Sequence, residues 1–169
     1  MRIEFVQGDI SNQPEIEAVV NAANKELRTG GGVAGAIHRK AGSDLEEAGR
    51  PYAPLKPGEA VVTEGFGLPN KYVIHTLGPV YGVDEPSEEL LGSCYRESLK
   101  RAEENDMKSV AFPLISTGAF GYPLEAGIRV ALETVENYSS LSERLELVRF
   151  VIFSDEEFEV FRRIYESRS

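Results

Sequence analysis

Two periods of apolar residues take turns along this chain. Ile3 and Phe5 share one face of Arg2–Gln7, which reads as a short strand. Ala18-Val19-Val20, within Glu17–Asn21, is a short apolar run of the kind that forms a buried strand. Helical spacing follows from Val33 to about Ala41, and again over Ser43–Ala48. Pro51, Pro54 and Pro57 break the chain into a loop. Glu59–Glu64 and Tyr72–Thr76 return to the strand pattern, with Gly65, Gly67, Pro69 and Asn70 marking a turn between them. From Pro86 to about Asn105 the helical period is clear, with Leu90, Leu91, Cys94, Tyr95, Leu99 and Ala102 on one face. Ser109–Pro113 reads as a strand. Leu124, Ile128, Ala131, Leu132, Val135 and Tyr138 mark the next helix. Leu147–Phe153 is the longest strand signal, apolar except for Arg149. Ser154-Asp155-Glu156-Glu157 has capping-box spacing and opens a last helix with Phe158, Phe161, Ile164 and Tyr165 inward.

Strands that alternate with helices predict an α/β domain, a three-layer α/β/α sandwich around a mainly parallel sheet. Such sheets bind ligands at the carboxyl ends of their strands. The loops after Val20, Phe112 and Phe153 fall at such ends. There is no internal repeat, low-complexity segment or linker, and 169 residues suit a single domain over 1–169.

Composition narrows the classes. One cysteine, Cys94, rules out a disulfide scaffold. With only His38 and His75 beside it, no standard zinc site is expected. No apolar run approaches the ~20 residues that span a bilayer. Met1–Phe5 carries no leader-like apolar stretch, so a cytoplasmic location is the expectation, without membrane attachment. The net charge of −10 argues against nucleic acid as a partner. It leaves room for a small anion, which backbone N–H groups can hold. Glu outnumbers Asp 23 to 5, a bias expected of a thermophilic source.

Chemistry concentrates in two glycine loops. Gly30-Gly31-Gly32-Val33-Ala34-Gly35 formally matches G-x-G-x-x-G, but Ala22–Thr29 separates it from the preceding strand, and the position ~20 residues on, where the dinucleotide fold has an acid ending its second strand, lands in the proline-broken loop. A tight turn before a helix is an equally good reading; consecutive glycines ahead of a helix also suit a phosphate. The second loop, Pro113-Leu114-Ile115-Ser116-Thr117-Gly118-Ala119-Phe120-Gly121-Tyr122-Pro123, also runs from strand to helix. It reads as a second phosphate cradle, or, on paper, as a Ser116–His75 nucleophile pair. Asn21 and Asn24 flank Ala22-Ala23, where they serve turn chemistry or fix a sugar hydroxyl. Asp9 closes a first turn or accepts from an exocyclic amine.

These fragments, together with Gly8-Asp9-Ile10 and Val73-Ile74-His75-Thr76-Leu77-Gly78-Pro79, stand in macrodomain order and at macrodomain spacing. The chain resembles the macrodomain family over nearly its whole length. The resemblance implies a mixed central sheet between helices, and ADP-ribose or an ADP-ribosylated protein as the partner, with no cofactor. By position, Asp9 would accept from the adenine amine, Ile10 would line that pocket and Phe153 would stack on the base. Gly31, Gly32 and Val33 would hold the diphosphate and distal ribose from one side. Ser116, Thr117, Gly118, Ala119 and Phe120 would hold them from the other, with Phe120 covering the ribose. Asn24 matches the asparagine required for turnover in hydrolytic members. Ala34 stands where deacetylase-type members carry an aspartate proposed to activate water; members with Val-Ala there still hydrolyse ADP-ribosyl esters. The expected function is therefore hydrolysis of ADP-ribosylated Asp or Glu side chains or of O-acetyl-ADP-ribose. The alternative is a non-catalytic ADP-ribose reader.

Overall fold

Leu147–Phe153 is apolar on nearly every residue because both faces of its strand are covered. Val148, Phe150 and Ile152 enter one core, while Leu147 and Val151 enter another. The same split runs through the sheet: Val110 and Phe112 face one way and Ala111 the other; Ala18 and Val20 oppose Val19. The computed structural model describes residues 1–168. In chain order the elements are β1 (Arg2–Gln7), β2 (Ala18–Ala22), α1 (Gly32–Ala41), α2 (Ser43–Gly49), β3 (Ala60–Glu64), β4 (Tyr72–Thr76), α3 (Ser87–Glu104), β5 (Ser109–Phe112), α4 (Leu124–Ser139), β6 (Leu147–Ile152) and α5 (Asp155–Ser167). A 3-10 turn covers Arg50–Tyr52, within the stretch expected to be proline-broken loop.

The strand order is β1-β6-β5-β2-β4-β3. Every neighbouring pair is parallel except β3 with β4. That exception follows from chain length, because a parallel return needs a crossover of about a dozen residues. The short turn after Glu64 instead closes a hairpin, with Gly65 N donating to Lys71 O. Helices α3, α4 and α5 cover one face through Leu91, Tyr95, Ile128, Leu132, Phe161 and Ile164; α1 and α2 cover the other through Ile37, Ala41 and Leu45. The result is the three-layer arrangement with a mixed, mainly parallel sheet.

Observed element ends differ from the expected ones by a residue or so, as caps and fraying allow. Leu90, expected inward on α3, is only half-buried at the margin of that face, close to the Gly58 turn. The Ser154 cap forms as spaced: its Oγ accepts from Glu157 N at 3.1 Å, and its hydroxyl donates to the Glu157 carboxylate at 3.0 Å. Among the described residues no helix is long and apolar enough to cross a membrane.

Candidate ligand-binding site

The parallel strands β1, β6, β5 and β2 all end on one edge of the sheet, and their following loops enclose a cavity of 740 Å³. That volume suits a nucleotide-sized ligand. All twelve residues that the macrodomain resemblance assigns to the ligand line it, while Asn21 and His75 do not. Asp9 and Ile10 come from the loop after β1; Asn24, Gly31, Gly32 and Val33 from the segment between β2 and α1. Ser116, Thr117, Gly118, Ala119 and Phe120 come from the loop after β5, and Phe153 from the end of β6.

Several lining residues were not anticipated. Arg39 lies one helical face along from Gly32 and Ala36, at i+7 and i+3, so the period of α1 could have found it. Glu157 stands one turn after Phe153 on α5. Gly78 enters from the loop after β4; it lies in the Val73–Pro79 fragment of the family pattern, but nothing in that fragment points to a place in the cavity.

At the first glycine loop, α1 starts with Gly31 as N-cap, without a side-chain cap and without an acid in its first turn. Its first N–H groups and the positive end of its dipole therefore face the cavity unneutralised by the protein. Gly32 has φ +53°, a backbone conformation that favours glycine. Gly35 is required for a different reason: a Cβ there would collide with the Gly30 carbonyl oxygen and approach Arg39 Nη1 to 2.9 Å. Gly35→Ala is therefore expected to push the loop off the helix, destabilising the fold by ~1–3 kcal/mol and weakening anion binding. Denaturant unfolding and ADP titration of the variant would check both.

Asn24 is tied to its own loop. Its Oδ1 accepts from Arg28 N at 2.9 Å, and its Nδ2 donates to Arg28 O at 2.8 Å. One N–H and one lone pair of the amide remain for a ligand. Thr29 N donates to Glu46 Oε1 at 3.0 Å, which fastens this loop to α2.

In the second loop the hydroxyls turn toward the protein. Ser116, at φ +67°, donates from Oγ to Pro79 O at 2.9 Å, and Thr117 donates to Leu114 O at 3.2 Å. Among the described residues no protein acceptor takes the N–H of Thr117, Gly118, Ala119 or Phe120, so this loop offers main-chain donors. Phe120 packs against the cluster of Ala23, Leu27, Leu55 and Leu77, a rigid backing for an apolar wall.

The Ser116–His75 nucleophile pair does not form. His75 is buried, with Nδ1 3.1 Å from Asn21 Nδ2 and Nε2 2.9 Å from Thr63 Oγ1. Thr63 donates its own proton to Glu64 O, so His75 is neutral and donates from Nε2. Burial, reinforced by nearby His38, pushes the His75 pKa down to about 3. Burial also lowers that of His38, against an opposing pull from Glu46. The His75 ring stays neutral in the fold down to about pH 3, while in the unfolded chain it takes up a proton below about pH 6.5. The contribution of His75 to stability is thus full above pH 6.5 and falls as pH drops toward 3, by up to ~1.4 kcal/mol per pH unit; the lowered pKa of His38 acts in the same direction. Urea unfolding from pH 7 to 5 should show that slope, and His75→Gln should flatten it.

At the β1/β6 end, Asp9 Oδ1 accepts from Ser11 N (2.8 Å) and Ser11 Oγ (2.7 Å). Oδ2 has no protein donor among the described residues. Phe153 is 79% exposed, an aromatic face open for stacking. Among the described residues Asp9 and Glu157, both at this end, are the carboxylates lining the cavity, and the Asn24 end has none. Among the described residues no group of three or more His, Cys, Asp or Glu is placed to hold a metal.

Residues 20–131 match the model of the Macro domain. The chain belongs to the macrodomain family. This macrodomain is 41% identical over 172 aligned residues to the O-acetyl-ADP-ribose deacetylase of Enterobacter cloacae, an alignment covering 99% of this chain and 95% of the relative. Its fold is similar to that of the Oceanobacillus iheyensis macrodomain solved with ADP, with a TM-score of 0.92 and 36% identity over 98% of this chain and 90% of that one. The Trypanosoma brucei macrodomain in complex with ADP-ribose gives a TM-score of 0.90 and 35% identity, covering 96% of this chain and 68% of that one.

Proposed function

We propose that this macrodomain binds ADP-ribose and hydrolyses esters carried on its distal ribose, either ADP-ribosylated Asp and Glu side chains or O-acetyl-ADP-ribose. The observation that carries this reading is the polarity of the cavity. A carboxylate and an open aromatic ring stand at the β1/β6 end, two loops of main-chain donors in the middle, and the Asn24 amide at the β2 end. Three strand spacings separate β1 from β2, roughly 14 Å, which accommodates a base, a diphosphate and a sugar in line.

In this reading Asp9 Oδ2 accepts from the adenine amine, Ile10 lines the base pocket and Phe153 stacks on the ring. Gly31, Gly32 and Val33 donate to the diphosphate from one side. Ser116 to Phe120 close over it from the other, with the Phe120 ring on the distal ribose. Asn24 uses its remaining N–H to fix a ribose hydroxyl. With Ala34 buried at the first turn of α1 and no carboxylate at this end, no side chain serves as general base. A water held by the substrate's own phosphate attacks the ester carbonyl; the bond from that carbon to the ribose oxygen breaks, and a proton from the water passes to that oxygen, releasing the carboxylic acid and the ribose hydroxyl. The rate gain then comes from orientation and fixed dipoles, and the enzyme forgoes the ~10²–10⁴-fold of general-base help.

The absent base also favours a second reading, a reader that binds ADP-ribose without turnover. Release of glutamate-linked ADP-ribose from a modified protein, measured alongside ADP-ribose affinity, separates the two. Release supports the hydrolase; tight binding without release establishes the reader.

A further inference from the structure

Arg149 is the one polar interruption of β6, and none of the roles above uses it. Its side chain is 13% exposed and makes three bonds. Nε donates to Glu4 Oε1 at 3.1 Å, and Nη1 donates to Glu15 Oε1 at 2.6 Å and to Gln13 Oε1 at 2.9 Å. Gln13 is buried, and its other amide end, Nε2, donates to the main-chain oxygen of Asp9 at 2.9 Å. Buried Asn70 holds the same loop from its far side, donating to Gln13 O at 2.8 Å and to Ile16 O at 2.7 Å.

The chemistry dictates the direction of this chain of bonds. A guanidinium only donates, so Arg149 takes the oxygen of the Gln13 amide and turns its NH2 toward Asp9. A leucine or valine at position 149, which the strand pattern would favour, leaves that amide free to flip. We propose that Arg149 and Gln13 are positioning residues that hold the Asp9 carboxylate against the base, and so set the preference of the cavity for an amine-bearing purine over one with a carbonyl at the same position. The proposal rests on the reading that places adenine at Asp9. A carboxylate faces an amine as acceptor to donor, and a carbonyl as acceptor to acceptor. Discrimination therefore depends on the carboxylate being unable to retreat. Asp9 bonds only to Ser11 through its side chain, within its own turn. The turn meets the sheet on one side where Gly8 N donates to Ile152 O at 2.9 Å, and the Asp9 carbonyl accepts from Asn12 N at 3.0 Å as well as from Gln13, so Gln13 adds the side-chain link that carries the turn on to Arg149.

The test compares dissociation constants of ADP-ribose and its hypoxanthine analogue on wild type, Gln13→Met, Gln13→Glu and Arg149→Lys, with thermal unfolding as the check on folding. Gln13→Glu keeps an acceptor for Arg149 but turns an oxygen toward the Asp9 carbonyl, so it breaks only the second bond. Arg149→Lys keeps the charge beside Glu4 and Glu15 and loses the planar fork. Wild type is expected to favour ADP-ribose. In both Gln13 variants that preference should shrink about tenfold, mainly by improved relative binding of the analogue, and in Arg149→Lys part of the way. A wild-type preference that survives in all three variants, even with both affinities lowered together, overturns the proposal and leaves Gln13 a structural residue. No wild-type preference at all removes adenine from Asp9 and takes the proposal down with that placement.

Discussion

Asn24→Ala is expected to lower ester turnover by about 10²-fold or more while ADP-ribose still binds. The amide is the polar side chain carried by the loop after β2 at the end of the cavity where the scissile ester would lie, and among the described residues no carboxylate lines that end to substitute for it. The variant also removes the two bonds that Asn24 makes to the Arg28 main chain, so it should unfold more easily, by roughly 1–2 kcal/mol. Asn24→Asp separates the effects. Its Oδ1 still accepts from Arg28 N, but it has no N–H for the ribose. If the N–H orients the sugar, Asn24→Asp regains part of the stability and none of the turnover. Single-turnover assays on an ADP-ribosylated protein, with calorimetric unfolding of the same samples, measure both. Full activity in either variant would remove Asn24 from the mechanism.

Asp9→Ala is expected to weaken ADP-ribose binding by ~10- to 100-fold, the range for a hydrogen bond to a charged group. The loss has two sources: the acceptor for the base, and the turn that Oδ1 makes with Ser11. Asp9→Asn keeps an oxygen for Ser11 and presents an NH2 to the adenine amine. It should hold the loop in place and still bind poorly, because two donors then face each other. Titration calorimetry with ADP-ribose gives the answer directly. Unchanged affinity in Asp9→Asn would place the base elsewhere in the cavity.

The element order was legible because local patterns carry it. The all-apolar Leu147–Phe153 run, the period of α3 and the Ser154 cap depend on residues a few positions apart. The site was legible for a related reason. Gly32 needs a positive φ and Gly35 a close approach to Gly30, constraints that leave glycines in the sequence wherever the backbone meets them. Arg39 was legible in principle, since it repeats along the α1 face that Gly32 opens, and Glu157 follows Phe153 by four residues across the capped start of α5. Gly78 was not; it reaches the cavity only because β4 pairs with β2, and a loop after one strand carries no mark of which strand lies beside it.

By itself the sequence determined the alternation of strands and helices, the two donor-rich loops and the family, since each is written in residues close together along the chain. Only the tertiary structure decided what those residues do to one another. It spent the Ser116 hydroxyl on Pro79 and the His75 ring on Asn21 and Thr63, which removes a nucleophile that spacing alone allowed. It placed both carboxylates at one end of the cavity and the Asn24 amide, with no carboxylate beside it among the described residues, at the other. It also joined Arg149 to Asp9 through Gln13, across 136 and then 4 residues of chain. Hydrogen-bond partners far apart in sequence are chosen by strand order, and strand order is set by how two apolar faces find cover together, a property of the whole chain that no short stretch of it contains.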